Sequence, residues 1–277
     1  MVTRAARTAD PPQDADSGIA RETLTTWRER ALFWQRTDLD RALAAFTFIA
    51  DVTCLSKHCQ FAGDDRTLVV RYDGLPFAAI AFHSLDQSDH SQRTPQRIAA
   101  LTRRLVAPGQ AFACLVAERD WSVVRGAYRV LDVQPEWQMV HGGDLLELEA
   151  GDAVPLEAGD LPQMRALARR ESMQGFEHDP LSRGPWYGVW HGGELVAQGG
   201  THVLLEHAAE IGNIVTAGTY RRLGYGSRVV AALLRELTER DLSVFLHVIK
   251  RNRAAVAFYD RLGFERRRTM VLARCCI

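Results

Sequence analysis

Six residues, Arg221-Arg222-Leu223-Gly224-Tyr225-Gly226, stand between an apolar run from Ile211 to Thr216 and a helical pattern from Ser227 to Thr238. Placed between a strand and a helix, they can cradle a pyrophosphate. Glycine lets the backbone approach an anion closely because no Cβ intervenes. The free N–H groups of a new helix's first turn then face that anion, and the helix dipole favours its charge. Arg221 and Arg222 add guanidinium groups that phosphate oxygens accept. The spacing is not that of a P-loop, which needs Gly-Lys-Ser/Thr. Nor is it a dinucleotide fingerprint, because Val229 occupies the third glycine position. A Gly-x-Gly pair is also compatible with an ordinary turn.

A second block, Asn252-Arg253-Ala254-Ala255-Val256-Ala257-Phe258-Tyr259-Asp260-Arg261-Leu262-Gly263-Phe264, follows a strand-like Val244 to Ile249. Asn252 is suited to cap a helix by accepting a first-turn N–H. Ala255, Phe258, Tyr259 and Leu262 recur at helical spacing as one face. Gly263 stands where a helix ends in the left-handed region. On this reading alone Tyr259 is an ordinary core aromatic.

Together the two blocks resemble the GNAT superfamily of N-acyltransferases. That family carries Arg/Gln-x-x-Gly-x-Gly/Ala after its fourth strand, matched here by Arg221, Gly224 and Gly226. It carries Asn-x-x-Ala-x-x-x-Tyr-x-x-x-Gly-Phe after its fifth, matched by Asn252, Ala255, Tyr259, Gly263 and Phe264. The resemblance spans about Leu148 to Ile277. It implies an α/β (α+β) GNAT acyl-CoA N-acyltransferase fold in the C-terminal half, with acetyl-CoA as co-substrate, a primary amine as acceptor and no metal.

By the same resemblance, the backbone of Ile214, Val215 and Thr216 would pair with the pantetheine arm, and N–H groups near Val215 would stabilise an oxyanion. Arg221, Arg222, Leu223, Gly224, Tyr225, Gly226 and Ser227 would hold the pyrophosphate, with Asn252 at the pantetheine. The Tyr259 hydroxyl would protonate the leaving sulfur, since tyrosine stays protonated near neutral pH. Glu210, fourteen residues ahead of Gly224, takes the position of the catalytic glutamate of histone-acetylating members. A surface glutamate opening a strand is the alternative reading. His202, on the preceding strand, is a second base candidate or a structural histidine. Other functions left open are a non-catalytic acyl-CoA-binding module and acylation of oxygen.

At 277 residues the chain has room for two domains. We expect a disordered leader over 1–20, a mixed α/β domain over 21–147 and the GNAT domain over 148–277. The N-terminal part lacks the glycine cradle and the Asn-to-Tyr block, as a degenerate GNAT-like module would. Thirty-four basic and thirty-four acidic residues cancel, so no net field draws the chain to nucleic acid or an anionic membrane. No apolar run is long enough to span a bilayer, and no signal-peptide core is visible, which points to the cytoplasm. The expected partners are thus acetyl-CoA and an amine, with a homodimer left open.

Five scattered cysteines do not suggest a disulfide framework, and Cys54, His58 and Cys59 lack a second ligand pair for a metal. The apolar pattern predicts one or two helices over Arg21 to Ala50 and a hairpin, Thr67 to Tyr72 with Pro76 to Phe82, around Asp73-Gly74. It predicts a helix from Gln96 to Val106 and strands over Ala111 to Ala117 and Tyr128 to Val140. Asp160 and Pro162 start a further helix, and Trp186 to Leu205 form a hairpin about His191-Gly192-Gly193. Phe176, Glu177, His178, Trp186 and Tyr187 would line an acceptor cleft or pack a domain junction.

Overall fold

The computed structural model describes residues 19–85, 93–143, 148–173, 176 and 179–277. Most of the expected leader, together with Asp144, Glu177 and His178, lies outside the described residues. The described residues open with three helices, α1 (Arg21–Thr37), α2 (Leu39–Ala44) and α3 (Phe46–Thr53). One or two were expected. The Asp38 side chain accepts from Arg41 N–H and restarts the helix there, and the backbone kinks again at Ala45.

Strands β1 (Cys59–Gly63), β2 (Thr67–Tyr72) and β3 (Ala79–Ser84) form an antiparallel meander. Helix α4 (Arg93–Thr102), β4 (Phe112–Ala117), α5 (Trp121–Ala127) and the long β5 (Arg129–His141) complete this half. The second half runs β6 (Val154–Pro155), α6 (Leu161–Arg170), β7 (Trp186–His191), β8 (Glu194–Leu204), β9 (Ala208–Thr216), α7 (Tyr225–Glu239), β10 (Ser243–Ile249), α8 (Arg253–Arg261) and β11 (Phe264–Cys276). This is the expected order of helix, hairpin, strand, helix, strand, helix and strand. Asp160 does not cap α6. Its carboxylate instead accepts from Glu157 N–H, as part of a capping box on the preceding 3₁₀ turn.

Among the described residues, eleven strands join in one sheet, in the order β1-β2-β3-β4-β11-β5-β10-β9-β8-β7-β6. Its centre is an exchange. β11, the last strand, lies between β4 and β5 of the first half, and β5 lies between β11 and β10 of the second. Strands of the two expected domains therefore share one sheet.

Alternation along the strands builds separate cores on the two faces. On β2, Leu68, Val70 and Tyr72 join the cluster under α1, α2 and α3, whereas Val69 joins the cluster of α4 and α5. On β10, Phe245 faces the first of these helical groups, while Val244, Leu246 and Val248 pack with Val229, Val230, Leu233, Leu234 and Leu237 of α7. Among the described residues no helix is long and apolar enough to cross a membrane, and no group of three or more His, Cys, Asp or Glu could hold a metal.

Candidate active site

The site begins where two parallel strands part. β9 and β10 pair only at Ala208, Ala209 and Glu210, opposite Ser243, Val244 and Phe245. Beyond Glu210, β9 keeps its antiparallel partner β8 but, among the described residues, has none on the β10 side. The Ala217 N–H bonds the Val196 carbonyl, so alternation aims the polar groups of Val215 at β8 and those of Ile214 and Thr216 at the gap. The Thr216 carbonyl accepts there from Arg221 Nε at 3.2 Å.

Two bulges shape the β8–β9 pair. One residue is extra on β9 near Asn213, which has φ +53°, and one is extra on β8 at His202. The side chains at both bulges carry a buried nitrogen, Asn213 Nδ2 and His202 Nε2, without a hydrogen-bond partner among the described residues.

A cleft of about 690 Å³ opens at the parting. Of the cofactor residues expected from the sequence, Ile214, Val215, Thr216, Arg221, Arg222, Gly224, Tyr225, Gly226, Ser227 and Asn252 all line it. Leu223 does not, and stands 54% exposed. Gly224 caps α7 in the left-handed region at φ +82°, a conformation that would strain any residue with a Cβ. No side chain caps this helix end, so its first-turn N–H groups are left for a ligand. At Gly226 a Cβ would lie 3.3 Å from Thr216 Oγ1 and 3.6 Å from the Phe258 ring, at the junction of strand and helices.

The two arginines differ. Arg221 is held by Glu171 at 2.6 Å, and the other Glu171 oxygen accepts from Gly218 N–H, so this pair staples the loop to the end of α6. Arg222, at φ +65°, makes no ion pair or hydrogen bond with a described residue. Neither does Arg261, which lines the cleft as well. An uncapped helix end, a glycine floor and two unpaired guanidinium groups fit a diphosphate.

Asn252 caps α8 as expected, accepting Ala255 N–H at 3.2 Å, and Gly263 ends it at φ +81°. The helix face is divided differently from the expected stripe. Asn252, Ala255, Phe258 and Arg261, three residues apart, line the cleft, whereas Val256 and Leu262 are buried in the core. Tyr259 lies between these faces. Its ring packs edge-on against Phe258 and Phe264, and its hydroxyl bonds to no described residue. Burial pushes that hydroxyl well above the ordinary tyrosine range. Tyr220, Ala255, Phe258 and Arg261 are cleft residues that the sequence reading did not assign to the cofactor. The three-residue step from Asn252 was the available signal for the last three.

Glu210 is not a surface residue. It is 8% exposed, and its Oε1 lies 2.8 Å from His247 Nδ1. His247 Nε2 lies 3.1 Å from Gln138 Nε2, which also donates to the Leu43 carbonyl at 2.8 Å. That carbonyl orients the Gln138 amide so that its NH₂ faces the imidazole. Nε2 of His247 must then accept, and Nδ1 carries the proton donated to Glu210. The imidazole stacks on Phe46 of α3, with ring centroids 4.6 Å apart. Burial raises the pKa of the neighbouring Glu136, with His247 opposing the shift. His202 lies over Gly212, where a Cβ would come within 2.6 Å of its ring. Glu210 and His202 share a separate cavity and do not line this cleft.

A split parallel pair with a glycine-capped helix at the parting defines the class: an acetyltransferase fold. A family model described as acetyltransferase (GNAT) family matches residues 153–264, and this stretch is a GNAT domain. Solved structures share the fold across most of the chain. A putative GNAT-family acetyltransferase from Novosphingobium aromaticivorans is 23% identical, over 86% of this chain and 99% of that one, with a TM-score of 0.67. A tandem GNAT protein from the clavulanic acid biosynthesis pathway is 14% identical over 93% and 96%, with a TM-score of 0.65. A GCN5-related N-acetyltransferase from Kribbella flavida is 17% identical over 84% and 95%, with a TM-score of 0.60. The tandem structure supports a GNAT-like module in the first half. No curated protein matches the sequence.

Proposed function

We propose that the protein is an acyl-CoA-dependent N-acyltransferase that moves an acetyl group from acetyl-CoA to a primary amine by direct attack within a ternary complex. The observation that carries this reading is the parting of β9 from β10 at Glu210, with a phosphate-type cleft on one side and a buried carboxylate on the other.

Acetyl-CoA supplies the acetyl group already activated as a thioester. The α7 N-terminus and Arg222 and Arg261 bind its diphosphate, while Arg221, held by Glu171, keeps their loop in place. The backbone groups of Ile214 and the N–H of Thr216, on the side away from β8, receive the pantetheine arm and face the carbonyl oxygen on which charge develops. Glu210 takes the proton from the incoming ammonium through its oxygen not bonded to His247, freeing the nitrogen pair to form the C–N bond. Tyr259 gives its hydroxyl proton to the sulfur as the C–S bond breaks, and recovers a proton from the amine side. Its raised pKa keeps that hydroxyl protonated between turnovers.

A lysine-like amine with a pKa near 10.4 costs about 4.6 kcal/mol to deprotonate at pH 7, and an α-amine near 8 about 1.4 kcal/mol. Glu210→Gln retains an acceptor for His247 but not the base. Thiol release from acetyl-CoA should therefore fall about 10²–10³-fold for strongly basic amines and much less for α-amines. Equal, small losses for both kinds would remove Glu210 from this role. One observation favours a non-catalytic binding module, namely that Tyr259 does not line the cleft. Such a module would be stabilised by acetyl-CoA yet release no thiol with any amine.

A further inference from the structure

The cavity holding Glu210 and His202 has about 180 Å³ and is walled largely by the first half of the chain. Phe46, Leu55, Phe77, Ile80 and Leu115 give it an apolar surface from α3, β3 and β4 and the segments beside them. Five polar side chains interrupt that surface; Thr47 donates to the Leu115 carbonyl and Tyr72 accepts from Arg183, which leaves Glu210, His202 and Asp51. Glu210 has one oxygen engaged by His247 and no described partner for the other. His202 Nε2 is buried without a partner among the described residues. Asp51, 5% exposed, makes no hydrogen bond to a described residue, and the Arg183 charge only partly offsets its burial.

Buried polar groups are ordinarily hydrogen-bonded, and three in one apolar cavity call for a ligand that meets them. We infer that this cavity is the acceptor site and that its occupant is a primary amine carried by a short linker on a ring-sized apolar body. The inference rests on the acyltransferase reading above.

Size sets the body. An apolar cavity of about 150 Å³ takes up benzene, so this one holds a six-membered ring with one or two further atoms. Most of its wall is apolar, which favours an apolar body over the chain of cationic nitrogens of a polyamine. Its position sets the role. Glu210 lines this cavity and not the cofactor cleft, so the proton it removes belongs to whatever fills the cavity. The first half of the chain thereby acquires a task, choosing the acceptor, although it carries no phosphate loop of its own.

Calorimetry on the full chain with 2-phenylethylamine, ethanolamine and spermidine tests the assignment without relying on turnover. The expected result is at least tenfold tighter binding of 2-phenylethylamine than of either polar amine. Leu115→Trp, which fills the cavity, should weaken that binding at least tenfold while leaving acetyl-CoA affinity within twofold. Phe77→Ala, at a site already 44% exposed and so safe for folding, should weaken it about threefold or more. Equal binding of the three amines overturns the inference. So does a Leu115→Trp variant that alters acyl-CoA chain-length preference and not amine binding, since the cavity would then serve the acyl arm. If 2-phenylethylamine binds as expected but no thiol is released from acetyl-CoA, the cavity's ligand class stands and the acyltransferase reading fails. Turnover confined to polar amines fails the cavity and keeps the reaction.

Discussion

Gly226→Ala should make the free protein more stable and the acetyl-CoA complex less so. Gly226 lies in the first turn of α7 with helical backbone angles, so alanine there gains about 0.5–1 kcal/mol through the unfolded chain. The added methyl meets Thr216 Oγ1 at 3.3 Å and Phe258 at 3.6 and 3.9 Å. The hydroxyl can yield by a few tenths of an ångström, which leaves a gain at the lower end of that range. The same methyl occupies the floor where the strand, the helix end and the ligand's arm must converge. A tenfold loss of affinity there corresponds to about 1.4 kcal/mol. At ligand a hundredfold above the wild-type dissociation constant, binding stabilises the wild type by about 2.7 kcal/mol and the variant by about 1.4. The order of stabilities therefore reverses on adding ligand. Urea unfolding with and without acetyl-CoA, beside calorimetric titration, measures both terms. A variant that binds acetyl-CoA within twofold of wild type would show that close backbone approach is not what this glycine provides.

Three further outcomes are expected. His83, buried among Trp27, Trp34 and Phe48, is pushed down to about 4 by burial and by Arg41, Arg119 and Arg30. The unfolded chain takes up that proton near 6.5, so stability is full above pH 6.5, falls as pH drops and levels off near 4, a loss of about 3 kcal/mol. His83→Leu should flatten this part of the urea-midpoint profile, and an unchanged slope would contradict the assignment. Tyr259→Phe should lower kcat about 10²-fold with KM for acetyl-CoA preserved; turnover at the wild-type rate would return Tyr259 to the status of a packing aromatic. Asn252→Ala removes the α8 cap at a cost of about 1 kcal/mol and should weaken acetyl-CoA binding too, which separates it in thermal-shift titrations from a purely structural cap variant.

The local grammar of the site was readable because it rests on short-range chemistry. Asn252 caps, Gly263 and Gly224 adopt left-handed angles, and the loop residues gather at one cleft, each effect reaching only a few residues along the chain. What escaped was long-range. Nothing in the alternation of 129–141 says that β5 pairs with β10 and β11 in preference to β4, since strand period fixes faces and not partners. The Glu210–His247–Gln138–Leu43 chain joins four distant segments, and Glu210 read equally well as a surface residue until those partners met. The division of α8 into cleft and core faces turned on a single helical step, which moved Tyr259 aside and brought Arg261 in. The bulges at His202 and Asn213 break the two-residue period, and neither residue type announces it.

The crossing of β5 and β11 bears on how this chain can be made and divided. A fragment ending after β5 would leave β4 without its neighbour and expose a long raw edge, and its complement would lack the partner that closes β10. Either piece expressed alone should aggregate, whereas the two produced together could reassemble. Completion of the first half must therefore wait on synthesis of the thirteen-residue β11.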